Sequence, residues 1–163
     1  MNKQTILILS LIAFLIIVLT FRKPIKTGIE KMTRGYKNRN PGNIELTTSK
    51  WKGEITGTDK RFKTFINMEY GYRAIFILLQ SYFEKGFNTI EKIINRYAPP
   101  VENVTSNYIN TVSKRTGINP KDKIDWYNIK DIKNIVAAIS FVENGIEPNL
   151  TQIEDGYKLL KTA

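Results

Sequence analysis

Arg34-Gly35-Tyr36-Lys37-Asn38-Arg39-Asn40-Pro41-Gly42-Asn43-Ile44 is the stretch from which the fold of this chain is read. It holds no hydrophobic run and neither a helical nor a strand period, so it predicts a loop outside the core. Asn40-Pro41 followed by Gly42-Asn43 is turn chemistry: proline fixes φ, glycine accepts positive φ, and asparagine side chains bond nearby backbone. Three asparagines, two glycines and two arginines in eleven positions make a surface dense in hydrogen-bond donors and acceptors. Composition alone leaves an ordinary loop and a ligand-contacting loop both open.

Outward from that stretch lie Trp51, Gly53, Phe62, Phe65, Glu69, Gly71, Arg73-Ala74, Leu78 and Tyr82. The run Ile93-Ile94-Asn95-Arg96-Tyr97-Ala98-Pro99-Pro100-Val101-Glu102-Asn103-Val104-Thr105 follows, with Tyr108-Ile109 and Thr116-Gly117. Together these blocks resemble phage-encoded, virion-associated cell-wall (muralytic) proteins of the lysozyme-like superfamily, over nearly all of residues 34–117. More distantly, Asn40-Pro41-Gly42-Asn43-Ile44 with Phe62, Phe65 and Tyr82 is similar to bacterial glucosaminidases and lytic transglycosylases. Those enzymes cut the glycan strands of peptidoglycan. The resemblance implies a mainly α (α+β) fold, a lysozyme-like helical domain with a small β element.

The formal charge of +10 makes acidic polymers and anionic surfaces natural partners, without choosing among peptidoglycan, nucleic acid and lipid. Cysteine and histidine are both absent. Disulfides, thiolates, zinc-hydrolase ligand sets and Ser-His or Cys-His nucleophile pairs are thereby excluded. Catalysis must run on carboxylates, tyrosines, lysines or backbone groups, and neither a cofactor nor a metal is expected. Nucleic-acid binding rests only on charge and scattered aromatics, with no helix-turn-helix, RNA-recognition or zinc signature, so a specific nucleic-acid partner is not expected.

Residues 5–21 read T-I-L-I-L-S-L-I-A-F-L-I-I-V-L-T-F without a charge. A helix over them would reach about 26 Å, enough for the hydrocarbon core of a bilayer. A signal peptide is the rival reading, but no A-x-A-like cleavage site follows, and Phe21-Arg22-Lys23-Pro24 resembles a stop-transfer flank. The expectation is a single-pass N-terminal anchor in a virion membrane or bacterial inner membrane. The domains would be an anchor over 1–22, a basic tether over 23–33, and the lysozyme-like domain over 34–163. Lys3 precedes the apolar run while Arg22, Lys23, Lys26 and Lys31 follow it. Positive-inside logic then keeps the domain on the cytoplasmic side, against a wall-facing role.

Short strands are expected around Glu45, 51–55 and 61–65. Asn67 predicts an N-cap for a helix carrying Tyr72, Ile75, Phe76, Leu79, Tyr82 and Phe83 to about Gly86. Asn88-Thr89-Ile90-Glu91 reads as a capping box with Asn as the cap, opening a helix that Pro99-Pro100 stops. Further helices are expected over about 104–115, from 128–131 to about Val142, and from a Thr151-Gln152-Ile153-Glu154 capping box to Leu160.

Breaking a glycosidic bond needs a carboxylic acid kept protonated near neutral pH. In the resembling enzymes one Glu closes an apolar helix ahead of the Asn-rich loop. Here only Glu30 precedes the loop, among lysines. The segment of the right form comes late: Val136-Ala137-Ala138-Ile139-Ser140-Phe141-Val142-Glu143-Asn144-Gly145. Glu143 is therefore the catalytic candidate, through a circular permutation that moves the catalytic helix to the carboxyl-terminal end. The competing reading of Glu143 is a solvated residue near a helix C-terminus. Asn40, Asn43, Tyr97, Glu102, Asn103 and Tyr108 are the substrate-binding candidates, with Trp51 and Tyr36 as sugar-stacking alternatives. Two functions stay open: a peptidoglycan-degrading enzyme of transglycosylase or glucosaminidase type with a single Glu, and a non-catalytic peptidoglycan-binding or structural virion membrane protein, with other virion proteins as further partners.

Overall fold

Side-chain oxygens placed just ahead of apolar runs start four of the helices. Asn67 accepts from the Tyr70 N–H, Thr89 from Lys92, Asn128 from Asp131, and Asn149 from Thr151 and Gln152. In the computed structural model, which describes residues 32–98 and 104–161, the chain opens with a single helical turn, α1 (Arg34–Lys37). An antiparallel pair follows, β1 (Glu54–Ile55) against β2 (Thr64–Phe65), with Glu54 opposite Phe65 and an isolated bridge between Glu45 and Phe62. Then come α2 (Met68–Glu84), α3 (Ile90–Tyr97), α4 (Val104–Thr116), α5 (Ile129–Asn144) and α6 (Leu150–Lys161). All belong to one compact unit, Thr33–Ala163.

Helical spacing puts Tyr72, Ile75, Phe76 and Leu79 on one face of α2, and all four are fully buried. They meet Ile93 and Ile94 of α3, Val112 of α4 and Ile132, Ile135 and Ile139 of α5 in one core. Each such side chain contributes about 1.5–3 kcal/mol of burial free energy. Helix α6 packs along α2, and α4 packs along α5. The expected core residues Phe65, Phe76, Leu79, Tyr82, Ile93 and Ile94 are buried, whereas Phe62 is half-buried between the guanidinium groups of Arg34 and Arg61.

The fold class needs correction in one respect. Among the described residues no helix is long and apolar enough to cross a membrane. The fold is a mainly helical domain with one two-stranded sheet, and neither the transmembrane helix nor the membrane localisation drawn from it is carried forward. The apolar stretch 5–21 and the greater part of the tether, together with Pro99-Pro100, Glu102 and Asn103, lie outside the described residues.

Three local expectations also change. Residues 34–37 form a helical turn where no period was visible. The α3 cap is Thr89 rather than Asn88, and the α6 cap is Asn149 rather than Thr151. Most consequentially, the polar stretch is buried: Asn40 is 0 % exposed and Asn38 and Ile44 are each 8 % exposed. Asn40 makes this burial tolerable. Its Nδ2 donates to the carbonyls of Ile44 and Lys63, both at 2.9 Å, and its Oδ1 accepts the Ile44 N–H at 3.0 Å. The missing Cβ of Gly71 lets α2 approach the same loop, since a Cβ there would lie 2.2 Å from the Arg39 carbonyl oxygen.

Replacing Asn40 by alanine leaves these buried groups without partners. The melting temperature of Asn40→Ala should fall by roughly 10 °C, about 3 kcal/mol of lost stability. A shift under about 2 °C by calorimetry would mean that the amide does not hold the loop.

Candidate active site

Helix α5 is amphipathic along its length, with Ile132, Ile135, Val136 and Ile139 turned inward. It stops where Gly145 takes φ 66°, a left-handed conformation open to glycine, and returns its N–H to the Phe141 carbonyl at 2.7 Å. The last turn therefore presents Glu143 and Asn144 at a fixed height. Asn144, 7 % exposed, ties this turn to the loop. Its Nδ2 donates to the Pro41 carbonyl at 2.7 Å and to Ser140 at 2.9 Å, and its Oδ1 accepts from the Thr33 hydroxyl at 2.8 Å.

Beside it, Glu143 is engaged at both carboxyl oxygens. Asn43 Nδ2 donates to Oε2 at 3.0 Å and to the Glu143 backbone carbonyl at 3.2 Å, and the Tyr108 hydroxyl donates to Oε1 at 3.0 Å. Asn43 reaches this position with φ 46°, a left-handed conformation that asparagine tolerates better than most residues. Burial raises the Glu143 pKa above the ordinary glutamate value, and the hydrogen bonds from Asn43 and Tyr108 pull it partly back. Tyr97 and Tyr108 meet edge to face with ring centroids 6.5 Å apart. Burial, then the nearby Glu143 charge, holds both phenols well above their ordinary pKa, so both remain proton donors at neutral pH.

Glu143 opens onto a groove of about 820 Å³, shared with Gly42, Asn43, Glu45, Tyr82, Arg96 and Tyr97 among its lining residues. The structure brings Glu143, Asn43 and Tyr97 to this groove. Tyr108 supports Glu143 from within the core, being 5 % exposed and absent from the groove lining. Tyr97 spends its hydroxyl on the Gly42 carbonyl. Asn40 does not reach the groove; it is consumed inside the loop. Trp51 and Tyr36 pack against the core instead of lining the groove, and Glu69 serves the first turn of α2.

Three contributors escaped sequence reasoning. Asn144 had no local signal, because its loop partners lie 103 and 111 positions away. Asp59 gathers a bidentate pair from Arg34, both contacts at 2.6 Å, with donors from Asn38, Arg61 and Phe62. These contacts, that of Arg34 foremost, hold its carboxyl well below the usual range. Lys63 is 0 % exposed and donates to Glu54 at 2.8 Å, an ion pair whose two side chains are 0 % and 10 % exposed.

No protein-family profile matches the chain. Protein P5 of Pseudoalteromonas phage PM2 is 36 % identical to it over 138 residues, covering 81 % of this chain and 84 % of that protein.

A carboxyl whose folded-state pKa is raised adds stability below its unfolded value and loses it as pH rises through the folded value. The stability of Glu143→Gln relative to the native chain should therefore improve as pH rises from about 4.5 towards neutrality. Denaturant melts at several pH values check this, and a trend of opposite sign would place the Glu143 pKa below the ordinary value.

Proposed function

The chain belongs to the family of Protein P5 of Pseudoalteromonas phage PM2, and we propose that it cleaves the glycan strand of peptidoglycan with Glu143 as its single acid/base. The reading rests on one observation: a carboxyl at the end of an apolar helix, desolvated yet open to a groove, with its pKa raised. That combination is what a general acid requires near neutral pH. The resemblance of residues 34–117 to muralytic proteins supplies the substrate class. Asn43 and Glu143 meet across 100 positions of sequence, which accords with a catalytic helix moved to the far end of the chain.

In this scheme the Glu143 proton passes to the glycosidic oxygen as the bond from that oxygen to C1 breaks. Asn43 and Tyr108 then steady the resulting carboxylate, each through the hydrogen bond it already makes. The same carboxylate takes the proton of the incoming hydroxyl as the new bond to C1 forms, so the acid is regenerated. A sugar 6-hydroxyl as nucleophile gives a 1,6-anhydro end, the transglycosylase outcome. Water, with or without help from the substrate N-acetyl group, gives a reducing end, the glucosaminidase outcome.

One observation favours the binding-only alternative. Both Glu143 oxygens already accept hydrogen bonds, which stabilise the ionised form and oppose proton donation. Digestion of purified peptidoglycan, read by mass spectrometry of the products, separates the two. The native chain should release fragments and Glu143→Gln should be slower by at least about 100-fold, with its fold intact by circular dichroism. Undiminished cleavage by Glu143→Gln would move the acid elsewhere, and no release by the native chain would leave the binding module.

A further inference from the structure

Lys85 and Arg96 line the same groove as Glu143. Lys85 is the C-cap of α2 and Arg96 lies in the last turn of α3, so two helix C-termini bring cations to one groove. Both side chains are exposed. Arg61, in the same lining, is neutralised by Glu45 at 2.8 Å. Neither Lys85 nor Arg96 is paired with a carboxylate among the described residues. Helix-dipole compensation accounts for a cation at each helix end, but not for both facing one groove without an ion-paired carboxylate.

A neutral chain of N-acetylated amino sugars offers these cations nothing to bind. A muramyl residue differs: stripped of peptide it ends in one lactyl carboxylate, and when that carboxyl is taken up in the amide bond to the peptide, the peptide brings several carboxylates of its own. We infer that Lys85 and Arg96 form an anion subsite for the carboxylate substituents of the strand. The groove then prefers peptide-bearing muramyl strands to stripped strands, and both to neutral amino-sugar polymers. The inference rests on the glycan reading of the groove and adds the substrate feature that it selects. Arg96 directly precedes Tyr97, and Lys85 lies one helical turn beyond Tyr82, so the subsite adjoins the part of the groove lined by those two rings.

The test uses the full chain carrying Glu143→Gln, so that no ligand is consumed during titration. Its probes are a disaccharide tetrapeptide dimer, the same glycan after amidase treatment, chitotetraose and a short DNA duplex. Affinity should fall in the order peptide-bearing, stripped, chitotetraose, and added salt should weaken the first most. Lys85→Gln and Arg96→Gln should each weaken binding of the peptide-bearing ligand by about two- to fivefold and leave chitotetraose unchanged. A purely dipolar role would lower the melting temperature without touching this selectivity. Equal affinity for all three glycans overturns the subsite, as does DNA binding as tight as that of the peptide-bearing ligand. The cleavage reading can fail separately, through an inactive native chain, while the ranking of probes still decides the subsite.

Discussion

A polar loop can be buried only when its backbone groups find partners inside the protein, and in residues 38–44 asparagine side chains supply them. Asn40 closes the loop on itself and onto Lys63, Asn38 donates to Asp59, and Asn144 reaches over from the end of α5 to the Pro41 carbonyl. The Asn40 and Asn144 amides bond carbonyls that would otherwise be stranded away from water. The loop thereby becomes a rigid hub touched by α2, α3, α5 and the sheet, through Gly71, Tyr97, Asn144 and Phe65 respectively. Buried amides carry a desolvation penalty that apolar packing would avoid, and only near-complete pairing offsets it.

What that hub achieves is the placement of a carboxyl. Glu143 sits next to Asn144 in sequence, so the bond that locks Asn144 to the loop also fixes where the acid emerges. Asn43 closes the same arrangement from the loop side. The opposing effects on Glu143 are then set by packing: burial favours its neutral form, while Asn43 and Tyr108 favour its charge. Burial prevails here, and the hydrogen bonds limit its extent. The ion pairs Arg34–Asp59 and Lys63–Glu54 brace the loop and sheet on the other side and take no part in that balance.

Much of the helical framework was legible because its signals are local. Asn67 as a cap and the spacing of Tyr72, Ile75, Phe76 and Leu79 fixed α2, and Gly145 after an apolar run ending in Glu143 marked the end of α5. Cap identities slipped by one or two residues at Thr89 and Asn149 because neighbouring Asn and Thr side chains are chemically interchangeable caps. The burial of the loop is hidden for a different reason. Its polarity is visible in sequence, but beside its local bonds it is held by Lys63, Phe65 and Asn144, residues far along the chain. Sequence alone suggests Tyr108 as a ligand contact, and its place inside the core, behind Glu143, depends on how α4 packs against α5. That packing has no local signature.

Burial raises the pKa of Glu143, and Tyr108 moderates the rise. Site-specific carbon-13 NMR titration of the Glu143 carboxyl measures this directly, in the native chain and in Tyr108→Phe. The midpoint should lie above the ordinary glutamate value of 4.5 in the native chain. It should rise further in Tyr108→Phe, where a donor to the carboxylate is lost. A native midpoint at or below 4.5, or a downward shift in the variant, would contradict the account.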